Sequence, residues 1–407
     1  MKLTYDDLAV FGGTPSFSDH LHVGRPNLGN RQRFLDLIYD MLDRRWFSNE
    51  GPYVQELERR IAAMLGVKHC VAMCNGTIAL EIAIRALELK GEVIVPSFTF
   101  IATAHSLQWQ EITPVFCDID PQTHHIDPKQ VEKMITPRTT GILGVHTWGR
   151  PCDIDALSEI AGKYHLKLLF DAAHAFACSH HDKMIGNYGN VEVFSFHATK
   201  FFNTLEGGAA VTNDDVLADK IRLMKNFGFA GLDNVIFIGT NGKMNEASAA
   251  MGLTNLESLE EFIAENKRNY ECYRFCLECI PGISLLQYDE GEKRNYHYII
   301  LEIDEIEDGL SRDELQKVLW AENILARRYF YPGCHRMEPY RSNSPHTHLQ
   351  LKETEKVAQR VLSLPTGAMI NPQSIETICQ IIRLAVENGK DIRKHFKSEE
   401  LRKGLYL

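Results

Sequence analysis

Between residues 68 and 212, short apolar runs return at near-regular intervals, and the stretches between them carry helical periodicity. The runs are CVAMC (70–74), EVIVP (92–96), PVFCDI (114–119), GILGVH (141–146), KLLFDAA (167–173), VEVFSF (191–196) and GAAVTN (208–213). Most lack the alternation of a strand with one wet face, as expected of strands covered on both sides. The gaps TIALEIAIRALELKG (77–91), with Gly91 as its cap, and DIDALSEIAGKYH (153–165) read as helices. Strands alternating with helices predict an α/β unit, with a mostly parallel seven-stranded sheet and helices on both faces.

Beyond about residue 255 the pattern changes. A long helical stretch, EEFIAENKRNYECYRFCLECIPG, ends at Pro281-Gly282. NYHYIILEID (295–304) alternates like a strand with one wet face. SRDELQKVLWAEN (311–323) reads as a helix capped by Ser311, and QSIETICQIIRLAVENGK (373–390) as a final amphipathic helix. A chain of 407 residues is long for one core. The expected division is an N-terminal segment plus large domain (1–255) and a smaller α+β domain (256–407).

A net charge of −10 argues against a general nucleic-acid or membrane-surface binder. No run of 18 apolar residues predicts a membrane span, and the acidic start MKLTYDDLAVFGG does not read as a secretory signal. Ten scattered cysteines suit reduced thiols in a cytoplasmic protein. Cys272, Cys276 and Cys279 have a spacing that could hold an iron–sulfur cluster. The same spacing puts them on one stripe of a helix, which spreads thiols along an axis, and core cysteines are the reading adopted; no metal is expected.

Ligands of open α/β sheets bind beyond the carboxyl ends of strands. After the first run, Asn75-Gly76-Thr77 opens a helix, either as an ordinary cap or as a phosphate cradle. After the second, Phe100 is a core ring or a flat face for an aromatic ligand. Asp171 ends the fifth run, where a carboxylate needs a cation or backbone amides. His174 follows, as a core histidine or a functional one. After the sixth come Ser195 and Lys200, in SFHATKFFNTLEGG (195–208). A lysine fenced by Phe196, Phe201 and Phe202 either snorkels to water or has a lowered pKa and acts as a nucleophile. One ligand satisfies the set: pyridoxal 5′-phosphate, with a phosphate, an aromatic face, a ring cation and an aldehyde.

The chain resembles the DegT/DnrJ/EryC1/StrS sugar aminotransferases, of aspartate-aminotransferase-like fold (fold type I). The motifs are SNEGPYVQELE (48–58), NGTIAL (75–80), PSFTFIATA (96–104), VHTWGRPCDID (145–155), DAAHA (171–175), SFHATK (195–200), EGGA (206–209), TNGKMNEASAAMGL (240–253) and SLPTG (363–367). The resemblance implies that Lys200 carries the cofactor and acts as catalytic base, with Asp171 as partner of the ring nitrogen. It implies His174 beside the ring near its 3-hydroxyl, Phe100 stacked on it, and Gly76, Thr77 and Ser195 on the phosphate. Asn241 would reach the phosphate of the other subunit in a homodimer with shared sites. Asn75 stands where Ser is frequent, and Gly242-Lys243 where Tyr-Arg is frequent. Relatives with His in place of Lys200 remove a hydroxyl instead of transferring an amine. VGRPN, GVHTWGRPC, NFGF and YFYPGCHRMEPYR (329–341) are similar to enzymes that aminate C4 of dTDP-4-keto-6-deoxyglucose. The activity so implied is transfer of an amino group from L-glutamate to a nucleotide-linked keto-sugar, with pyridoxamine 5′-phosphate between the half-reactions. A 3-keto-sugar aminotransferase, a sugar dehydratase and a non-catalytic scaffold are the alternatives.

Overall fold

The computed structural model of the chain describes residues 2, 4–304, 309–343 and 346–404. Seven strands form the main sheet: β1 (His69–Met73), β2 (Glu92–Pro96), β3 (Thr113–Cys117), β4 (Thr139–Val145), β5 (Lys167–Asp171), β6 (Val191–Ser195) and β7 (Gly208–Thr212). Their order is β1-β7-β6-β5-β4-β2-β3. Only β7 runs against its neighbours, and the other paired strands are parallel. The fold is therefore the expected α/β class with a mostly parallel seven-stranded sheet.

Burial on both faces explains the unbroken apolar runs. Along β5, Leu168 and Phe170 enter one core while Leu169 enters another; Cys70 and Ala72 split from Val71 and Met73 in the same way along β1. The carboxyl ends of β1, β2, β5 and β6 lie along one edge, which brings Asn75, Phe100, Asp171 and Lys200 within reach of one cavity.

A second, three-stranded antiparallel sheet has β8 (Ile283–Leu285), β9 (Ile299–Ile303) and β10 (Val361–Leu364) in that order. A third apolar core surrounds it, and the N-terminal residues Leu8, Phe17 and Leu21 pack there too. Leu21–His22 pairs in parallel with Ile324–Leu325. Glu322, fully buried, accepts from the backbone N–H groups of Ala9 and Ser16 at 2.7 Å each and thereby fastens the N-terminal segment.

Four local expectations are corrected. The helix read to Gly91 runs Gly76–Ala86, because Glu88 turns to φ 60°; Gly91 instead leads into β2 at φ 66°. The 295–304 strand has no wet face: Tyr296, Tyr298 and Ile299–Leu301 are buried, since β9 is the middle strand and is covered on both sides. The long helix, Leu259–Leu277, ends before Cys279, which is exposed at φ 68°, so only Cys272 and Cys276 pack as core cysteines on its stripe. The helix Pro372–Glu387 is not the last; another follows over Gly389–Gly404. Ser311 does cap Arg312–Ala321, in a reciprocal capping box with Glu314.

Candidate active site

A cavity of about 880 Å³ opens at the carboxyl edge of the main sheet. Its wall includes Gly76, Thr77, Phe100, Asp171, His174, Ser195 and Lys200, so seven of the eight predicted site residues converge on one space. Asn241 does not line it and is exposed on this chain.

Lys200 ends a turn closed by its own N–H donating to His197 O at 2.8 Å. The surrounding phenylalanines, Phe196, Phe201 and Phe202, are buried and anchor that turn. The ammonium Nζ lies 3.2 Å from the Tyr298 hydroxyl. Burial lowers the Lys200 pKa to about 8, against the opposing pull of Asp171. About a tenth of this lysine is thus an uncharged amine at pH 7, far more than of an ordinary lysine, and it opens onto a cavity.

Asp171 is buried at the end of β5. Its Oδ2 accepts from Thr103 Oγ1 at 2.8 Å and its Oδ1 from the Ala173 N–H at 3.1 Å. Thr99 Oγ1 lies 2.9 Å from Thr103 Oγ1 and continues the chain of hydroxyls. Burial still raises the carboxyl pKa, with the two hydrogen bonds and Lys200 working against it. Among the described residues no Lys or Arg forms an ion pair with it. A cationic ligand atom beside it would relieve that cost.

The phosphate end is a helix start. Asn75 caps the helix Gly76–Ala86 by accepting from Ile78 N–H at 2.8 Å. Asn75 O accepts from Ala79 N–H, which leaves the N–H groups of Gly76 and Thr77 to point off the helix end. A Cβ on Gly76 would stand 3.0 Å from Ser195 Cβ, so the absent side chain keeps the cradle open between them. Asn75 therefore caps the helix where Ser is frequent and leaves the cradle intact.

Phe100 is 56% exposed although apolar, and its ring covers one side of the cavity. His174, also on the wall, has its ring 4.3 Å from that of Tyr298 and tilted by 37° to it. Burial, Lys200 and His297 hold the His174 pKa well below its usual value, so the ring is neutral. A buried carboxylate, a neutral donor, an aromatic face, an amine and a helix-end cradle all fit pyridoxal 5′-phosphate.

The sequence reading missed several wall residues: Tyr298, His297, Arg327, Tyr329, Phe330 and the segment His22–Gly24. Thr103, behind Asp171, was also missed. Its signal was present in FTFIATA, one helical turn past Thr99. Tyr298 gave none, because it was read as one position of a half-wet strand. Lys243, left without a role, donates to Asn226 Oδ1 at 3.1 Å and sits over the Phe227 ring. Among the described residues one trio of metal-capable donors lies close together, Asp155, His180 and His181, on the exposed surface outside the cavity wall.

Residues 30–383 match the model of the DegT/DnrJ/EryC1/StrS aminotransferase family. The chain is 41% identical over 363 residues to a dTDP-4-amino-4,6-dideoxy-D-glucose transaminase of Shigella dysenteriae, covering 89% of this chain and 98% of that protein. It is 35% identical to a GDP-perosamine synthase of Caulobacter vibrioides, covering 88% and 96%. Among solved structures, DesI, crystallised in the presence of its TDP-sugar product, superposes with a TM-score of 0.92 at 47% identity, over 96% of this chain and 99% of that one. The chain belongs to the DegT/DnrJ/EryC1/StrS family and is a pyridoxal-phosphate-dependent aminotransferase.

Proposed function

We propose that this enzyme moves an amino group from L-glutamate to C4 of a nucleotide-linked 4-keto-6-deoxyhexose, with dTDP-4-keto-6-deoxyglucose as substrate. The observation that carries the reading is the Lys200 amine, its pKa lowered by burial, on the same cavity wall as buried Asp171. The likeness to the Shigella transaminase and to DesI supports the choice of sugar and carbon. The cavity wall also includes His22, Arg327 and Tyr329, polar groups that suit a nucleotide-linked substrate.

When bound, pyridoxal 5′-phosphate supplies a protonated ring that draws electron density away from the reacting carbon. The chain supplies the rest. Lys200 holds the cofactor and then, as a free amine with a pKa near neutrality, takes and returns the proton at Nζ. Tyr298 fixes the direction of that amine through its hydroxyl. Asp171, oriented by Thr103 and Ala173, keeps negative charge at the ring nitrogen. Gly76, Thr77 and Ser195 hold the phosphate, Phe100 covers the ring and His174 donates to its edge. The buried rings of Phe196, Phe201 and Phe202 anchor the turn that presents Lys200 to the cavity.

The same reading makes the protein a cytoplasmic homodimer. Asn241, exposed and outside its own cavity, serves the partner's phosphate. The two domains divide near residue 255, where the helix Glu246–Glu257 gives way to Leu259–Leu277.

The test is a panel of dTDP- and GDP-linked 3-keto and 4-keto sugars with glutamate, with the position of the new amine read by NMR. An amine at C4 of the dTDP sugar is expected. Amination at C3, or of none of the panel, overturns the reading.

A further inference from the structure

Trp148 is among the largest fully buried side chains, yet its backbone sits at φ 65°, a region costly for a bulky residue. Gly149 follows at φ 78°, where a Cβ would meet His174 O at 2.9 Å and Asn295 Oδ1 at 2.8 Å. The turn after β4 is therefore pressed against the loop that carries His174.

The contacts of Trp148 have a direction. Its backbone N–H donates to His174 Nδ1 at 3.2 Å. Its indole Nε1–H donates to Nδ1 of His124 at 3.2 Å, and Nε2 of His124 lies 2.9 Å from Glu302 Oε1. His124 is fully buried. An amide or indole N–H can only donate, so each imidazole is bare at Nδ1 and carries its proton at Nε2. His124 then turns its Nε2–H side toward the Glu302 carboxylate, 2.9 Å away, a charge–dipole contact not aligned as a hydrogen bond. Although burial opposes it, the His124 contact holds the Glu302 carboxyl below its ordinary range. His174 Nε2–H has no protein acceptor among the described residues, and His174 lines the cavity.

Packing keeps the chain in register. The Trp148 ring stacks on Phe330 at 5.1 Å and 10°, and Phe98 meets it edge-on. The Tyr288 hydroxyl donates toward Trp148 O at 3.0 Å, and Asn295 Nδ2 donates to His174 O at 2.8 Å. Both ends of the His174–Trp148 contact are tied to the region of β9.

We propose that Trp148 is a positioning residue: the Glu302–His124–Trp148 chain holds its backbone N–H on His174 Nδ1 and fixes His174 as a neutral donor whose Nε2–H faces the cavity. The part that concerns this chain alone is the tautomer. What the donor meets, an acceptor oxygen on the ring edge, rests on the cofactor reading above. The device matters because imidazole in water divides between tautomers and titrates near neutrality, whereas this ring is committed to one donor.

The experiment uses the cofactor-free full-length protein labelled with ¹⁵N-histidine, with His174 assigned by the signal missing in His174→Gln. One tautomer is expected, protonated at Nε2 and bare at Nδ1, and unchanged through neutral pH. An Nδ1-protonated, cationic or mixed His174 overturns the proposal whatever the enzyme's substrate proves to be. His124→Phe and Trp148→Phe then break the same indole–imidazole bond from opposite ends. Each should give a mixed His174 tautomer and weaken pyridoxal phosphate binding about tenfold, the scale of one lost hydrogen bond. The double variant should be no worse than either single one. Ile221→Val, a buried change in a different apolar core from that of Trp148, controls for general destabilisation and should leave the spectrum alone. If both single variants keep the wild-type tautomer and affinity, the positioning role is wrong. If the tautomer behaves as stated but no pyridoxal phosphate binds the wild type, the cofactor reading fails and the tautomer assignment stands.

Discussion

Replacing Lys200 by Met should stabilise the cofactor-free protein at neutral pH, and the gain should vanish and reverse as pH rises. Burial lowers the Lys200 pKa from an ordinary 10.5 to about 8. At ~1.36 kcal/mol for each tenfold, that is a cost of about 3.4 kcal/mol for keeping the ammonium in the fold. The lysine is half-buried and opens on the cavity, so screening trims this to about 2–3 kcal/mol. Met keeps the shape but loses the Tyr298 hydrogen bond, about 1 kcal/mol. The net gain at pH 7 is then about 1–2 kcal/mol. The folded state binds fewer protons than the unfolded state between pH 8 and 10.5, so wild-type stability rises with pH across that window. Above it both states hold a neutral amine, and the Met variant should be the weaker by about 1 kcal/mol. Urea unfolding of both proteins without cofactor, at matched concentration and at intervals from pH 7 to 10.5, reads the difference directly. Other titrating groups cancel in the comparison. A stability gap that stays flat with pH, or a Met variant less stable at pH 7, would refute a desolvated amine at this position.

Asp171→Asn keeps the shape but removes the charge, and amino transfer should fall by several orders of magnitude, about 4 kcal/mol or more, with folding intact; near-normal turnover with cofactor bound would remove Asp171 from the site. Thr103→Val deletes one hydrogen bond to that carboxylate, and kcat should drop about 10- to 100-fold, corresponding to about 1.5–3 kcal/mol. Mixing Lys200→Ala with Asn241→Asp after mild unfolding should restore activity in heterodimers, since one site then carries both lesions and the other neither; a mixture as inactive as its parents would keep Asn241 in its own subunit. A thiol reagent on the native protein should label exposed Cys279 first and reach buried Cys70, Cys152, Cys178 and Cys334 only on unfolding, as mass spectrometry would show.

The parts of the site readable in sequence share one property: each breaks the local pattern. Asp171 and Lys200 put charge where a buried run ends, and Asn75-Gly76-Thr77 puts a cap at a helix start. Such breaks are visible without knowing what lies opposite. The partners were not, because they are brought in from far along the chain. Thr103 is 68 positions from Asp171, and Tyr298 is 98 from Lys200. The fold divides the same way. Seven strands were legible because burial on both faces leaves unbroken apolar runs. The 295–304 stretch was misread as half-wet because Tyr296, Tyr298 and Glu302 look like solvent residues; only Ile299–Ile303 pairs as β9, and both tyrosines are buried just before it. The helix from Gly76 was read too long because apolar periodicity continues to Leu89, while the backbone reverses hand at Glu88.

The polar positions on β9 and in the segment that leads into it also bear on where the site lies. Beyond the sheet that carries Asp171, the Lys200 amine finds its side-chain partner outside its own core. β9 and the segment before it belong to the other core, and they bring hydroxyls and a carboxylate to that edge. Tyr298 meets Lys200, Glu302 meets His124, and the Tyr288 hydroxyl lies within 3.0 Å of the carbonyls of both Trp148 and Tyr298. A buried polar group is stable only when paired. A displacement of the segment Asn295–Tyr298, which leads into β9, would therefore unpair the amine and loosen the His174 loop together, because Tyr298 meets Lys200 and Asn295 donates to His174 O; Asp171, held by Thr103 and Ala173, would keep its partners.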